Sequence, residues 1–283
     1  MKTSFSYKCS NIFFKFINYK APLKNDKALR RFLLKKGQGN KKFNPISKSL
    51  FLLKYDKMYI NNMEYYEFNK NGDKKVLFIP GGSYVDNPTE IHFQFIEKLV
   101  KEANCHIYMP IYPKLPTYTY INCYKCMDEL LNIIGNDCIL IGDSAGGGLG
   151  LGLYLKHGKN TFIKSILISP WVDIRMNNTK MIEIEKKDPI LSIEGLKKLG
   201  SLWSLNRESY LTSPIIGDLE ILDNLYIFTG TNEIFYPDII KFYKLCKGNI
   251  NLYEYKEMNH GFVLHPIKEA KEASNLIIEI LKN

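Results

Sequence analysis

The sequence predicts an α/β fold built on a mostly parallel, doubly wound central sheet flanked by helices, and three observations predict it. From residue 75 onward, short apolar runs alternate with longer stretches of helical periodicity, the order that βαβ units produce. Several runs, such as Val76-Leu77-Phe78-Ile79 and Cys138-Ile139-Leu140-Ile141, are apolar throughout, as strands buried on both faces must be. One of them drives directly into Gly142-Asp143-Ser144-Ala145-Gly146-Gly147-Gly148, a strand, tight turn and helix start whose glycines relieve crowding.

The chain before that alternation reads differently. Residues 1–45 are basic and aromatic, with Ile12, Phe13, Phe16 and Ile17 at helical spacing and a second set at Leu29, Phe32 and Leu33. They predict two short amphipathic helices ended by Gly37-Gln38-Gly39, which can dock on the core, cap a site or lie on a membrane surface. Between Leu50 and Phe68, alternating stretches flank Asn61-Asn62 and predict a hairpin; Asn71-Gly72-Asp73 makes the next turn. Strands follow at 75–80, 105–109, 138–142 and 164–169, with helices at 89–103, 119–134 and 145–157 between them. Later come a strand at 224–229, a helix near 237–247, a strand at 250–255 and a closing helix over 266–281. The span from Trp171 to Pro214 is too long for a plain connection and carries helical patterns at Lys180–Lys186 and Ile193–Leu205. It reads as an insertion over the carboxyl ends of the strands, where open α/β sheets bind ligands.

Composition narrows the function classes. A chain of 283 residues, 45% hydrophobic and 24% charged, suits one globular domain with a modest elaboration and excludes extensive disorder. The net charge of +10 is mostly a lysine surplus in the first 75 residues, and without a nucleic-acid motif it reads as a solvated surface. The six cysteines are scattered; Cys123 and Cys126 sit at helical spacing with no second ligand pair, so neither metal nor cofactor is expected. No signal peptide is evident, and no run approaches the ~20 apolar residues of a membrane span, so a cytoplasmic protein is expected.

The G-x-S-x-G turn makes Ser144 a candidate nucleophile, although alone it fits equally a glycine-rich turn that packs closely or holds a phosphate. A serine nucleophile needs a base, and the base an orienting carboxylate. Of five histidines, His92 and His106 precede the serine on a helix and a strand, and His157 ends the helix that Ser144 starts. His260 remains, in a loop after the last strand, with His265 as the weaker alternative. Glu233, in the loop after the strand at 224–229, is the expected acid, with Asp238 and Asp173 as alternatives. The N–H groups of Gly81, Gly82 and Ser83, in the turn after Ile79, together with Ala145, are the expected oxyanion donors.

Together these residues resemble the hormone-sensitive-lipase-like branch of the α/β-hydrolases, a family of bacterial esterases and lipases with HGGG and GDSAGG motifs. Gly142 to Gly147 matches the elbow, Pro80-Gly81-Gly82-Ser83-Tyr84 stands at the HGGGY motif, Gly230-Thr231-Asn232-Glu233 at the acid motif and His260-Gly261-Phe262 at the histidine motif. Further similarity lies at Ser169-Pro170-Trp171, Asp188-Pro189-Ile190-Leu191 and Ser213-Pro214. The resemblance implies a serine carboxylesterase acting on a small-molecule ester through an acyl-enzyme, without a cofactor. It also implies a helical cap formed by residues 1–45 and 174–212 over a core of residues 46–173 and 213–283. An amide hydrolase such as an arylformamidase, or a catalytically weak ligand-binding relative, would share the same fold. Weak contact of the basic N-terminus with a membrane surface is a further expectation. Three residues depart from the pattern: Pro80 replaces a histidine, Ser83 a glycine, and Glu233 an aspartate whose shorter side chain lacks one methylene.

Overall fold

Side-chain alternation sorts the strands into those that bury one face and those that bury both. The computed structural model describes residues 3–39, 53–206 and 208–283. Strands β1 (Tyr55–Ile60) and β2 (Met63–Phe68) form the antiparallel hairpin, and β1 lies largely in solvent. Their turn residues Asn61 and Asn62 both have positive φ, 45° and 67°, as two-residue hairpins require and asparagine tolerates.

β2 also pairs antiparallel with β4 (Cys105–Pro110). From there the sheet is parallel through β3 (Lys74–Ile79), β5 (Cys138–Asp143), β6 (Phe162–Ile168), β7 (Leu225–Gly230) and β8 (Ile250–Tyr255). The order across it is β1-β2-β4-β3-β5-β6-β7-β8, so β5 lies well inside the sheet and every one of its residues is buried.

The period of two divides the core. Val76, Phe78, Ile139, Ile141 and Ile166 face the helices α3 (Glu90–Ala103) and α9 (Lys268–Lys282). Leu77, Ile79, Leu140, Leu167 and Ile227 face α4 (Tyr120–Ile134), α5 (Ser144–His157) and α8 (Tyr236–Leu245) on the other side. Each fully buried side chain of this size contributes about 1.5–3 kcal/mol, so two filled faces make this sheet the rigid frame of the molecule.

The N-terminal segment forms α1 (Phe5–Phe16) and α2 (Asp26–Gly39); the insertion forms a five-residue α6 (Met181–Glu185) and α7 (Ile193–Trp203). α2 ends at Gly39, the last residue of the expected Gly37-Gln38-Gly39 stop. The expected boundary between residues 45 and 46 lies outside the described residues. The two peripheral segments pack together. Lys20 Nζ donates to the carbonyls of Glu185 (3.2 Å) and Asp188 (3.0 Å), Asp26 pairs with Lys198 at 2.6 Å, and Gly195 has no room for a Cβ against Leu23. The insertion in turn meets the loops after β3 and β7, at the carboxyl ends of the strands.

Candidate active site

At the end of β5 the chain reverses into α5 within a few residues, and Ser144 takes up a left-handed conformation with φ 52°. The neighbouring glycines are required by contact. A Cβ on Gly146 would run into the Ile79 carbonyl, and one on Gly142 would stand 2.8 Å from the Gly146 carbonyl oxygen. The strain is therefore held by the backbones of β3, β5 and α5, and the serine is displayed at the carboxyl edge of the sheet.

His260 comes from the loop after β8. Gly261, with φ 64°, turns the chain behind it and donates its N–H to Ser169 Oγ at 3.1 Å. His260 Nε2 lies 2.9 Å from Ser144 Oγ, and its Nδ1 lies 2.6 Å from Glu233 Oε2. A carboxylate only accepts, so Nδ1 carries the proton, and Nε2 is left to accept from the serine hydroxyl. Phe235 meets the imidazole edge-on at 5.1 Å.

Glu233 is fully buried. Its other oxygen, Oε1, accepts from Thr229 Oγ1 at 2.5 Å and from the Gly230 N–H at 3.1 Å. The end of β7 thus holds the carboxylate and absorbs the additional methylene. The acid and histidine loops are tied directly, with Asn232 N–H donating to the Met258 carbonyl at 3.0 Å.

Burial opposes a charge on His260, but the hydrogen bond and charge of Glu233, aided by Asp188 and Asp143, outweigh it and raise the pKa above the ordinary 6.5. Asp188 is a second buried carboxylate beside this pair. It accepts from the N–H groups of Ile190 (2.8 Å) and Leu191 (3.0 Å) in its own turn and of Ile234 (3.1 Å), the residue after Glu233. Burial pushes its pKa up to about 6, against the charge of His260 and those three N–H groups.

The loop after β3 is the most strained part of the site. Gly82, Ser83 and Tyr84 have consecutive positive φ values of 122°, 53° and 58°. The Tyr84 ring stacks between Trp203 of α7 (4.4 Å, 4°) and Trp171 (5.4 Å, 25°), and Trp171 stacks on Phe235 (5.5 Å). An aromatic row therefore runs from the insertion through this loop to His260. The Pro80 carbonyl accepts from Tyr112 Oη at 3.0 Å. One expected donor is corrected: the Gly81 N–H donates to Asp143 Oδ1 at 2.9 Å, so it braces the loop and is not free to receive an oxyanion. Among the described residues, the N–H groups of Gly82, Ser83 and Ala145 have no such commitment.

The alternatives have other partners. Asp173 binds Arg175 and Ser213, and Asp238 accepts from Asn178. His265 packs on Phe14, and burial, with the charge of His260, lowers its pKa to about 4. His106 meets Glu67, His157 meets Asp128, and His92 lies 3.5 Å from Asp143. Cys123 and Cys126 point into the core from α4. Sequence reasoning did not find the bracing roles of Asp143 and Asp188 or the stack on Tyr84. An aspartate followed by proline within a mostly apolar turn was the signal for Asp188; the stack has no local signal.

A parallel sheet with a strained serine at the turn after a central strand, and a histidine and a carboxylate on the last two strand loops, defines the α/β-hydrolase class. A profile of the alpha/beta hydrolase fold matches residues 76–264, and the chain belongs to that family. It is 24% identical over 186 residues to an esterase of Acinetobacter venetianus, an alignment covering 59% of each chain, so it spans well under two thirds of that relative. A candidate esterase from Staphylococcus aureus superposes with a TM-score of 0.86 at 26% identity, covering 94% of this chain and 96% of that one. A hormone-sensitive lipase from a metagenome library shares the fold with a TM-score of 0.80 at 18% identity and 99% coverage of both.

Proposed function

We propose that this chain is a serine hydrolase that cleaves carboxylic esters through an acyl-enzyme. The observation that carries the reading is the continuous path from Ser144 Oγ to His260 Nε2 and from Nδ1 to Glu233, with separations of 2.9 and 2.6 Å, at a strained strand-to-helix turn.

In this reading Ser144 Oγ attacks the ester carbonyl while its proton passes to His260 Nε2. Glu233 stabilises the imidazolium and stays ionised. The carbonyl oxygen becomes an oxyanion facing the N–H groups of Gly82, Ser83 and Ala145. Each such donor is worth about 3–4 kcal/mol in the transition state. His260 then gives its proton to the departing alcohol. Water, activated by the same imidazole, attacks the acyl-enzyme and releases the acid. The substrate class is a small-molecule ester, and the chemistry needs no group beyond these residues. Residues 1–45 and 174–212 serve as the cap, a role supported by Lys20 bridging to the insertion and by Trp203 reaching Tyr84. Six unpaired cysteines support a reducing, cytoplasmic setting. The N-terminal helix is the part of the chain offered to a membrane surface.

The test is labelling with a fluorophosphonate followed by peptide mapping, alongside hydrolysis of p-nitrophenyl esters and matched amides. Adduct on Ser144, and ester turnover that disappears in Ser144→Ala, is the expected result. Ester turnover that survives Ser144→Ala would overturn the reading, and turnover of amides alone would move it to an amide hydrolase.

A further inference from the structure

Helix α1 has two apolar faces, and among the described residues only the inner one is packed. Its inner face carries Tyr7, buried, which donates from Oη to Asn259 Oδ1 (2.8 Å) beside His260, and Phe14, which packs on His265. Ser4 anchors the helix start on α9, with its N–H donating to Glu269 at 2.6 Å. Its outer face carries Phe5, Cys9, Ile12, Phe13 and Phe16. Their spacing of four, seven, eight and eleven residues places them in one stripe opposite Tyr7 and Phe14. Exposure is extreme for such residues: 83% for Phe5, 67% for Ile12, 57% for Phe13 and 87% for Phe16. A contiguous patch of this kind on an otherwise well-buried protein marks a contact surface.

The charges around the stripe identify the contact. Lys8 and Lys15 flank it on one side, exposed, with no ion pair among the described residues, and α1 has no acidic residue. A second copy meeting this face through its own α1 would set lysine against lysine. A bilayer of anionic phospholipid supplies both requirements at once, acyl chains for the phenylalanines and phosphate for the lysines. Among the described residues no helix is long and apolar enough to cross a membrane, so α1 would lie in the headgroup plane.

We infer that α1 docks the protein on an anionic lipid surface through Phe5, Ile12, Phe13 and Phe16, with Lys8 and Lys15 set against the headgroups. The contact stands apart from the ester-hydrolase reading; only the delivery of a membrane-dissolved ester to His260 and Ser144 rests on it.

Co-sedimentation of the full chain with phosphatidylglycerol–phosphatidylcholine vesicles, and with phosphatidylcholine vesicles alone, tests this. The wild type should pellet with the anionic vesicles, and Ile12→Glu with Phe16→Glu should lower partitioning at least ~10-fold. Lys8→Glu with Lys15→Glu should remove the preference for anionic lipid. Circular dichroism should be the same in all variants, because all four side chains are exposed. Wild type that stays in the supernatant, or a double variant that pellets equally, overturns the inference. So does a dimer in sedimentation velocity that Ile12→Glu with Phe16→Glu dissolves while vesicles are ignored. Vesicle binding without hydrolysis by the wild type would count against the ester reading alone.

Discussion

The elbow at Ser144 and the loop from Pro80 to Val85 face each other across the site, and both hold non-glycine residues at positive φ. They are supported differently. The elbow is fixed by backbone contact among adjacent elements, where Gly142 and Gly146 leave no space for a side chain. The loop has one glycine at positive φ, then Ser83 and Tyr84; the N–H groups of Val85 and Asp86 close it on the Gly82 carbonyl (2.9 and 2.8 Å), and distant side chains add to that support: the Asp143 carboxylate, the Tyr112 hydroxyl and the rings of Trp171 and Trp203. Positive φ can thus be held by local sterics alone or with the help of remote packing. Only the second kind depends on the insertion being in place.

Variants can break this comparison, starting at the elbow. Ser144→Ala should cut kcat roughly 10⁴- to 10⁶-fold with the fold intact, read by ester kinetics and circular dichroism. Truncating the remote support comes next. Trp203→Ala removes the closest ring on Tyr84 and should lower kcat about 100-fold, because small misplacements of donors are costly. KM should change little and Trp203→Phe should recover most of the loss. A Trp203→Ala enzyme with unchanged kcat would show that the loop holds itself.

Asp188 is the corresponding remote support of the acid loop, and its signature is in pH. Its folded pKa of about 6 lies above the unfolded 3.8, so the stability it contributes is complete below 3.8 and is lost as pH rises through 6. That amounts to about 2–3 kcal/mol across the window. Urea denaturation of Asp188→Asn between pH 4 and 7 should show that decline removed. Relief of strain gives a smaller effect. Ser83→Gly should raise stability by about 1 kcal/mol, since glycine adopts positive φ freely, with kcat within a few-fold of wild type. The smallest effect is a displacement of the pH profile. With the His260 pKa raised by Glu233, the acid limb of kcat/KM should titrate above 6.5, and Glu233→Gln should move the residual limb downward.

Much of this was legible from neighbours in the chain. The alternation of apolar runs and helical stretches from 75 onward, the hairpin at Asn61-Asn62, and the loops that carry Glu233 and His260 all match the observed elements, because their periods and turn residues act over a few positions. The commitment of the Gly81 N–H is not visible in the sequence because its partner, Asp143, lies 62 residues away in the chain.

By itself, then, the sequence determined the sheet, the elbow and the order of serine, carboxylate and histidine along the chain, since strand burial and turn sterics are local properties. Tertiary structure decided the rest. It gave the glutamate at 233 its place, through Thr229 and the Gly230 amide, and it set Trp203 on Tyr84 and Asp188 on the amide of Ile234. It also separated the two faces of α1, leaving Phe5, Ile12 and Phe16 outside. Residues far apart in sequence meet only after collapse of the core, so no window of neighbouring residues carries their pairing.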